Sequence, residues 1–382
     1  MRILVISDLP QFVTGGAEMQ AMRLIEKWHE QGHEIICLGR RMGSSPVKTP
    51  SGAIETHCIH TFSALGRIGR VLTYTLSLSW LLLRLRHRVD VVYTRFLGEG
   101  AATVALLKRW GLLSTPLIAT PANTGTGGDI TFIRSIPMSN RLIRLLDKEC
   151  DAINLIAEGM IAELKAEGFS GHNFTTIPNG IYVKPICIRK PSHILRCIAV
   201  GRLTPQKGYD VLLQALAHIR AHLSSYEFVI VGDGPERARL ERMTEELGLS
   251  SQVLWLGELG AQRVLEELEL AQLYILPSRY EGMSNAGLEA MERALPVILT
   301  CCGGLDCYIK QDMGWVVQPE DDGALAEVIL TALNEHHELL RARGIHCRKV
   351  VEDLFDIEHT SRRYISLFED LQRRLRSREV AV

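Results

Sequence analysis

Short apolar runs alternate with helical patterns along almost the whole of this 382-residue chain. The run Ile3–Ser7 opens the sequence, and Ala21, Leu24 and Trp28 then recur on one face of a predicted helix. Glu34–Leu38 is the next strand-length run. Strands joined by helices in this order form a parallel sheet that is covered on both faces. The alternation therefore predicts an α/β fold.

The alternation breaks at Pro178–Gly180, and a second series of strands and helices begins at Arg196. Between them, Pro185 and Pro191 stand among basic residues in a segment that is typical of an interdomain linker. The chain is also too long for one ordinary hydrophobic core. We therefore predict an N-terminal domain over residues 1–181, a linker over residues 182–194 and a C-terminal domain over residues 195–355.

The formal net charge of −1 conceals a basic first half. Residues 1–150 contain 18 basic and 11 acidic side chains, an excess of seven positive charges. This excess favours an anionic acceptor or an anionic membrane surface as a partner, and scattered solvated charges are the alternative. Nucleic acid is disfavoured as a partner, since no compact Lys/Arg cluster with interleaved aromatic residues occurs.

Residues 67–88 combine apolar side chains with flanking arginines. The segment could be a basic amphipathic helix at the inner face of a membrane, or an ordinary core helix with cationic ends. Elsewhere, nine scattered cysteines without a Cys-x-x-Cys pair are typical of a reduced cytosolic protein. No signal-peptide pattern occurs, and no run reaches the ~18 to 20 apolar residues of a membrane span. These features predict a cytoplasmic protein.

The segment Ser278–Ala290 places two glutamates, Glu281 and Glu289, around a turn and the start of a helix. A buried strand, Tyr274–Pro277, is predicted before it, and helical spacing follows from Leu288 onward. The turn therefore faces a helix N-terminus, whose unpaired amides and positive dipole end suit a diphosphate. A carboxylate on either side can accept hydrogen bonds from sugar hydroxyls.

Two cations follow the first predicted strand of the second half. Arg202 and Lys207 lie in the run Gly201–Gly208, where a parallel sheet presents its ligand-binding loops. A guanidinium can bind two phosphate oxygens at once, and an ammonium supplies a compact positive charge. Both side chains are therefore candidates to hold a departing diphosphate.

The acidic run Glu320–Asp322 follows Pro319 at the start of a predicted helix. Carboxylates at a helix N-terminus interact favourably with the dipole, so we interpret this run as a cap and not as a metal site. In the first half, Gly15 and Gly16 lie between a strand and a helix, where a backbone can approach a ligand closely. The same turn lacks Gly-x-Gly-x-x-Gly, which disfavours a nicotinamide-dependent oxidoreductase.

Together these segments resemble the retaining nucleotide-sugar glycosyltransferases of family 4. The family signature has two glutamates with seven residues between them, and Gly282, Asn285, Leu288 and Ala290 flank the pair here as in the family. The resemblance implies the GT-B fold, in which two Rossmann-like domains face each other across a cleft. It implies that the first domain binds the acceptor and that the second binds the nucleotide sugar. It also implies that the last helix, over residues 356–382, crosses back to the first domain.

The resemblance implies roles for individual residues. The family's arginine and lysine, here Arg202 and Lys207, contact the donor diphosphate, Glu281 holds the transferred sugar, and Glu289 binds the ribose. Arg202, Lys207 and Glu281 are therefore the candidate catalytic residues. The candidate donor-binding residues are Gly15, Gly16, Gly232, Gly234, Gly257, Gly282, Met283, Ser284, Asn285 and Glu289.

The implied reaction moves a hexose-type sugar from a nucleoside diphosphate sugar to a hydroxyl of a glycan or lipid-linked acceptor. Such reactions build cell-surface polysaccharide, lipopolysaccharide or glycolipid. No metal and no other cofactor is expected, because the two cations stand in for a metal in this family. Backbone contacts to the base leave no side-chain pattern, so both UDP and GDP stay open, and we favour UDP.

The chain departs from the family in one place. Members commonly carry a histidine just after the strand that corresponds to Leu117–Thr120, but no histidine occurs between His87 and His172. We expect Asn123, Thr124 or backbone groups of the following glycine-rich loop to replace its contact with the sugar. A sugar-nucleotide epimerase or phosphorylase of the same fold, and a non-catalytic sugar-nucleotide-binding protein, are the alternatives.

Overall fold

The computed structural model describes residues 1–13, 15–43, 45–62, 64, 66–123, 125, 128–136, 138–186 and 195–380. The chain divides into two compact units. Unit 1 consists of Met1–Gly180 and Ile357–Val382, and unit 2 consists of Ile181–Asp356. Of the predicted linker, residues 187–194 lie outside the described residues.

Unit 1 is built on an eight-stranded sheet with the order β3-β4-β2-β1-β5-β6-β7-β8. All neighbouring strands are parallel except β3 and β4, which form an antiparallel hairpin at one edge. The strands are β1 (Arg2–Ile6), β2 (Glu34–Gly39), β3 (Val47–Thr49), β4 (Gly52–Cys58), β5 (Val91–Thr94), β6 (Leu117–Ala119), β7 (Ala152–Leu155) and β8 (Phe174–Thr176). The connecting helices are α1 (Gly16–Glu30), α2 (Gly66–Leu85), α3 (Glu99–Arg109), α4 (Asp129–Arg134), α5 (Ser139–Glu149) and α6 (Gly159–Ala166).

Unit 2 is built on a six-stranded sheet with the order β11-β10-β9-β12-β13-β14, and every neighbouring pair is parallel. Its strands are β9 (Leu195–Val200), β10 (Tyr226–Val231), β11 (Val253–Gly257), β12 (Leu273–Leu276), β13 (Val297–Thr300) and β14 (Gly314–Val317). Its helices are α7 (Tyr209–His218), α8 (Arg237–Glu246), α9 (Ala261–Leu270), α10 (Asn285–Glu292), α11 (Asp322–Asn334) and α12 (His337–Val350).

Both faces of the unit 2 sheet are covered. Successive strand residues point to opposite faces, yet Cys197, Ile198 and Ala199 in β9 are all buried. Continuous apolar runs are typical of parallel strands that helices cover on both sides. The α/β prediction is therefore confirmed in each unit.

The last helix, α13 (Ile357–Val380), packs in unit 1 through an aromatic cluster. Trp28 of α1 contacts Tyr93, Tyr364 and Phe368 edge to face, with ring centroids 5.3–5.8 Å apart. The Tyr364 hydroxyl also accepts a hydrogen bond from Asn154 at 2.7 Å. Each such aromatic pair contributes about 0.5–1.5 kcal/mol beyond its buried area, so this cluster fixes α13 on the unit 1 core.

Candidate functional site

The predicted donor-side residues of the second half gather at one edge of the unit 2 sheet. Since its six strands are parallel, all their carboxyl ends meet at that edge. The ends of β9, β10, β11 and β12 and the segments that follow them carry the candidates Arg202, Lys207, Gly232, Gly234, Gly257 and Glu281 to Asn285. Sheet topology therefore brings together side chains that are up to about 80 residues apart in sequence.

Lys207 and Glu281 form an ion pair at this edge. The Lys207 ammonium donates a hydrogen bond to Glu281 Oε2, and the two side chains are only 16% and 9% exposed. Ser278 Oγ donates to the same carboxylate oxygen at 3.4 Å. The phosphate role of the lysine and the sugar role of the glutamate stay predictions. The structure shows that the two side chains position each other.

The pair lies between two loops that are joined through their backbones. The Arg279 amide donates to the Gln206 carbonyl at 2.8 Å, and the Gln206 side-chain amide donates to the Tyr280 carbonyl at 3.1 Å. Gly208 has a φ of +63°, and a Cβ there would lie 2.0 Å from the Pro277 carbonyl oxygen. Only glycine therefore allows the loop that carries Lys207 to approach β12 so closely.

Gly232 and Gly234 pack against the loop that carries Arg202. A Cβ on Gly232, whose φ is +139°, would lie 2.0 Å from the Gly201 carbonyl oxygen, and one on Gly234 would lie 2.3 Å from the Leu203 carbonyl oxygen. Arg202 itself is exposed. These two glycines are thus required for loop packing, which is a structural role that the sequence did not suggest. Their contact with a nucleotide stays a prediction.

The turn between β12 and α10 forms a capped helix N-terminus. Ser284 is the N-cap of α10, and its side chain accepts a hydrogen bond from the Gly287 amide at 3.2 Å. Glu281, Met283 and Ser284 are all buried, whereas Glu289, one turn into the helix, is half-buried. The two glutamates therefore differ in environment, with Glu281 enclosed beside Lys207 and Glu289 only partly buried.

Two buried tyrosines, which the sequence did not single out, stabilise this edge through hydrogen bonds to backbone carbonyls. The Tyr209 hydroxyl donates to the Gly201 carbonyl at 3.2 Å, and the Tyr274 hydroxyl donates to the Val200 carbonyl at 3.4 Å. Burial raises the pKa of both tyrosines, so both stay neutral donors. They hold the end of β9 from which the Arg202 loop begins.

Unit 1 contains a cavity of about 340 Å³ at the carboxyl edge of its own sheet. It is lined by the ends of β1 and β2, by α1, α2 and α3, and by the segments after β5 and β6. The lining residues are Ile6, Ser7, Asp8, Glu18, Leu38, Gly39, Arg40, Arg70, Tyr74, Phe96, Gly98, Glu99, Gly100, Asn123, Gly128, Asp129 and Phe132. Of the two residues predicted on the sugar side, Asn123 lines this cavity and Thr124 lies outside the described residues.

Glu18 lies over Gly15 at the first turn of α1. A Cβ on Gly15 would fall 2.1 Å from Glu18 Oε2, so a larger residue would displace the carboxylate. Burial raises the pKa of Glu18, and the nearby charge of Asp8 raises it further. Gly15 therefore makes room for a carboxylate of the chain itself, and the contact of Gly15 and Gly16 with donor phosphates stays a prediction.

Asp129 holds the segment after β6, where the resemblance led us to look for a histidine. Its two carboxylate oxygens accept hydrogen bonds from the amides of Leu97 at 3.0 Å and Ala122 at 2.8 Å. Burial raises the pKa of this carboxyl to about 6, although the backbone hydrogen bonds favour its ionised form. Asp129 thus fixes the backbone next to Asn123, a role that its distance in sequence concealed.

Helix α2 has two different faces. Arg70 and Tyr74 line the cavity, and the Arg70 guanidinium binds both oxygens of Glu99 at 2.6 and 3.3 Å. On another side, four apolar residues at intervals of four are each more than half exposed, and we call them the α2 stripe: Ile68, Leu72, Leu76 and Trp80. The Arg84 guanidinium lies 5.3 Å from the Trp80 ring centroid. One face of α2 is therefore core and another is exposed and apolar, and contact of this helix with a membrane stays a prediction.

The acidic run before α11 is a helix cap, as predicted. Asp321 is the N-cap residue, and its carboxylate accepts a hydrogen bond from the Ala324 amide at 2.8 Å. In the described part of the chain, no three His, Cys, Asp or Glu side chains are placed to hold a metal ion. None of the helices described is both long enough and apolar enough to cross a membrane.

Comparison with known families matches both halves of the chain. Residues 14–184 match the model of Glycosyltransferase Family 4, and residues 190–348 match the model of Glycosyl transferases group 1.

Among curated proteins, the chain is similar to one of the subunits of the phosphatidylinositol N-acetylglucosaminyltransferase of Arabidopsis thaliana. The two are 24% identical over 329 residues, which is 84% of this chain and 72% of the relative. The chain is also 26% identical over 299 residues to the N-acetyl-alpha-D-glucosaminyl L-malate synthase of Bacillus anthracis, covering 75% of this chain and 76% of that one.

Solved structures show the same fold at low sequence identity. A sucrose-phosphate synthase from Thermosynechococcus elongatus superposes with a TM-score of 0.82 at 18% identity, covering 97% of this chain and 98% of the other. Anabaena HepE, in complex with UDP and glucose, superposes with a TM-score of 0.76 at 16% identity, covering 97% of this chain and all of the other.

Proposed function

We propose, given that this chain belongs to glycosyltransferase family 4 and has the GT-B fold, that it transfers a sugar from a nucleoside diphosphate sugar to a hydroxyl acceptor with retention of anomeric configuration. The observation that carries this proposal is the enclosed Lys207–Glu281 pair beside the N-terminus of α10. It provides a cation for phosphate and a carboxylate for sugar hydroxyls next to a helix end that attracts anions.

We assign the donor diphosphate to Arg202, Lys207 and the first turn of α10. As the anomeric bond breaks, negative charge grows on the leaving phosphate, and donors that are already in place stabilise it. Lys207 is held by Glu281, so little reorganisation is needed during the reaction. An ammonium has three donor hydrogens, so a pair with one carboxylate leaves capacity for a phosphate oxygen.

Glu281 would accept hydrogen bonds from the transferred sugar, and the more open Glu289 would accept them from the ribose. In the same-face mechanism that we assign, the leaving phosphate takes the proton of the acceptor hydroxyl, and the new bond forms on the face that the phosphate leaves. No side chain is assigned as a nucleophile. Because two cations face the diphosphate, we expect no metal requirement.

UDP is the favoured nucleotide. HepE, which shares the fold, binds UDP and glucose. Two relatives are named for N-acetylglucosaminyl transfer, one of them to phosphatidylinositol. We therefore place the chain in the synthesis of a glycolipid or cell-surface polysaccharide.

We also propose that the α2 stripe contacts the membrane that carries the acceptor. Exposed apolar residues next to cationic ones are typical of helices that lie in the interface of an anionic bilayer, and Arg84 and Arg86 are both exposed beside the stripe. Trp80→Ser should reduce flotation with vesicles that contain anionic lipid. Trp110→Ser is the matched control, because Trp110 is similarly exposed on unit 1 but lies outside the stripe. Equal flotation of both variants would argue against this contact.

A donor panel tests the proposed reaction. The chain is incubated with UDP-glucose, UDP-N-acetylglucosamine and GDP-mannose, and the products are followed by mass spectrometry. A transferase should release the nucleoside diphosphate slowly from one donor even without acceptor. An isomerised donor would indicate an epimerase, and binding without turnover would indicate a non-catalytic protein.

A further inference from the structure

Arg279 lies two residues before Glu281, in the turn that follows β12. Its guanidinium donates four hydrogen bonds. Nη1 donates to the Pro205 carbonyl at 2.6 Å, Nη1 and Nη2 donate to the two carboxylate oxygens of Asp210 at 2.9 and 3.1 Å, and Nε donates to Glu320 Oε1 at 2.7 Å. One side chain therefore joins three connections of the unit 2 sheet, namely β9–α7, β12–α10 and β14–α11.

These contacts hold the chain on both sides of Lys207. Pro205 begins the short 3₁₀ turn Pro205–Lys207, and Asp210 lies in the first turn of α7. Arg279 thus binds the chain two residues before Lys207 and three residues after it. Because Arg279 also lies in the turn that carries Glu281, the position of the ammonium relative to the carboxylate depends on this one guanidinium.

The acidic partners of Arg279 are themselves held in place. Glu320 has a φ of +63°, a left-handed conformation that residues other than glycine seldom adopt, and the next residue, Asp321, caps α11. Burial alone would raise the pKa of Asp210, but hydrogen bonds from Arg279 and the charges of Arg279 and Arg239 lower it, so this carboxyl is ionised. A guanidinium that binds both oxygens of a carboxylate fixes orientation as well as distance.

We propose that Arg279 is a positioning residue for sugar transfer, which acts through Lys207 by fixing the ammonium relative to Glu281 and hence to the donor diphosphate. The inference rests on the proposed transferase function and adds to it a residue that positions the reacting groups. A planar guanidinium is required, because a lysine presents one compact charge and cannot bind all three partners at once. Misplacement of a catalytic group by about 1 Å can cost about 10²-fold in rate.

Turnover of the full chain, with the donor that the panel identifies, measures this role. Arg279→Gln should lower turnover about tenfold or more, whereas its affinity for the free nucleoside diphosphate should stay within about threefold of wild type. Arg279→Lys keeps the charge and loses the planar fork, so its turnover should remain at least about fivefold below wild type. Arg279→Lys also carries the test if Arg279→Gln does not fold.

Arg343→Gln is the matched control. Arg343 binds both oxygens of Glu335 at 2.7 and 2.8 Å and donates to the Gln311 carbonyl, and its side chain is 20% exposed, compared with 23% for Arg279. Its contacts lie outside the segments that carry Lys207 and Glu281. Loss of this similar ion pair should therefore leave turnover at the wild-type level.

A double variant tests whether Arg279 acts through Lys207. Once Lys207→Met has removed the ammonium, adding Arg279→Gln should slow turnover by no more than about threefold further. Independent roles would instead multiply the two losses.

The position of the ammonium can also be followed without any donor. In the full chain labelled with ¹⁵N-lysine, the side-chain signal of Lys207 is assigned by its absence in Lys207→Met. Arg279→Gln should shift or broaden this signal, and Arg343→Gln should leave it unchanged. This measurement does not depend on turnover, so it still tests the role of Arg279 if no donor reacts and the proposed function fails.

Four results would overturn the proposal. They are turnover of Arg279→Gln within about threefold of wild type, full recovery in Arg279→Lys, losses that multiply in the double variant, and a Lys207 signal that Arg279→Gln leaves unchanged. An equal loss of turnover in Arg343→Gln would likewise show that any broken ion pair of unit 2 has this effect.

Discussion

Replacing Lys207 with methionine removes the ammonium that pairs with Glu281 and nearly preserves the length of the side chain. Because the Glu281 side chain is only 9% exposed, its carboxylate would stay buried without the lysine's charge. Breaking a buried pair from one side costs about 3–5 kcal/mol. Ser278 still donates a hydrogen bond to the carboxylate, so we expect the lower end, about 3 kcal/mol. For a domain of this size, that loss lowers the Tm by about 6–12 °C.

A double-mutant cycle separates this pairing from other effects of the substitution. Glu281→Gln in the Lys207→Met background removes the buried negative charge, so the double variant should regain at least about 1.5 kcal/mol relative to Lys207→Met. Turnover should nevertheless fall roughly 10²-fold or more in both single variants and in the double variant, since each lacks a group that we assign to the reaction. Stability and activity should thus separate.

Calorimetry of the full chain and a nucleotide-release assay measure the two quantities. Lys310→Met is the matched control, because Lys310 is an exposed lysine of unit 2 and its loss should leave the Tm within about 2 °C. The reasoning is refuted if Lys207→Met melts as the control does, or if the double variant melts no higher than Lys207→Met.

Arg202→Ala should lower turnover roughly 10²-fold with unchanged Tm, because Arg202 is exposed, and activity within a few-fold of wild type would contradict its assignment. Glu289→Ala should weaken binding of the free nucleoside diphosphate by about 1.5–3 kcal/mol in calorimetric titration, whereas Glu281→Ala should leave it nearly intact, and the reverse pattern would exchange their roles. Burial raises the pKa of Asp129 from 3.8 to about 6, so the folded state favours the protonated carboxyl. The stability that this protonated group contributes is complete below pH 3.8 and is lost as the pH rises to about 6. This loss of about 3 kcal/mol, followed by urea unfolding, should be absent in Asp129→Asn, and an unchanged pH profile in that variant would refute the shift. EDTA should leave turnover unchanged, and loss of activity that Mn²⁺ restores would show a metal requirement.

Much of the fold could be predicted from the sequence, because strands and helices produce local hydrophobic patterns. The buried runs at β1, β2, β9 and β12 coincide with predicted strands, and a helix cap was predicted for the acidic run Glu320–Asp322 after Pro319. The hairpin β3–β4 was missed. In it only Val47, Ile54 and Thr56 are buried, so neither a continuous apolar run nor a long alternation marks it.

The features of the site that the sequence did not predict are contacts between residues that are far apart in the chain. Lys207 and Glu281 stand 74 residues apart, and nothing in their local patterns shows that they bind each other. The Leu97 and Ala122 amides donate hydrogen bonds to Asp129, and these bonds depend on the fold bringing separate segments together. The role of Glu18 had a local signal, because Glu18 follows Gly15 by three positions, which is less than one helical turn. We nevertheless considered only the glycines of this turn as candidates.

The proposed transfer is tested most directly by a ¹H NMR time course of the chain with UDP-N-acetylglucosamine, UDP-glucose or GDP-mannose and a panel of hydroxyl acceptors, run beside Lys207→Met. We predict that one donor yields free nucleoside diphosphate and a glycoside whose anomeric proton has the same configuration as in the donor. Lys207→Met should lower the rate at which both signals appear by roughly 10²-fold or more. An inverted product, an isomerised donor, or equal turnover in the variant would contradict the assignment of a retaining transferase that depends on the Lys207–Glu281 pair.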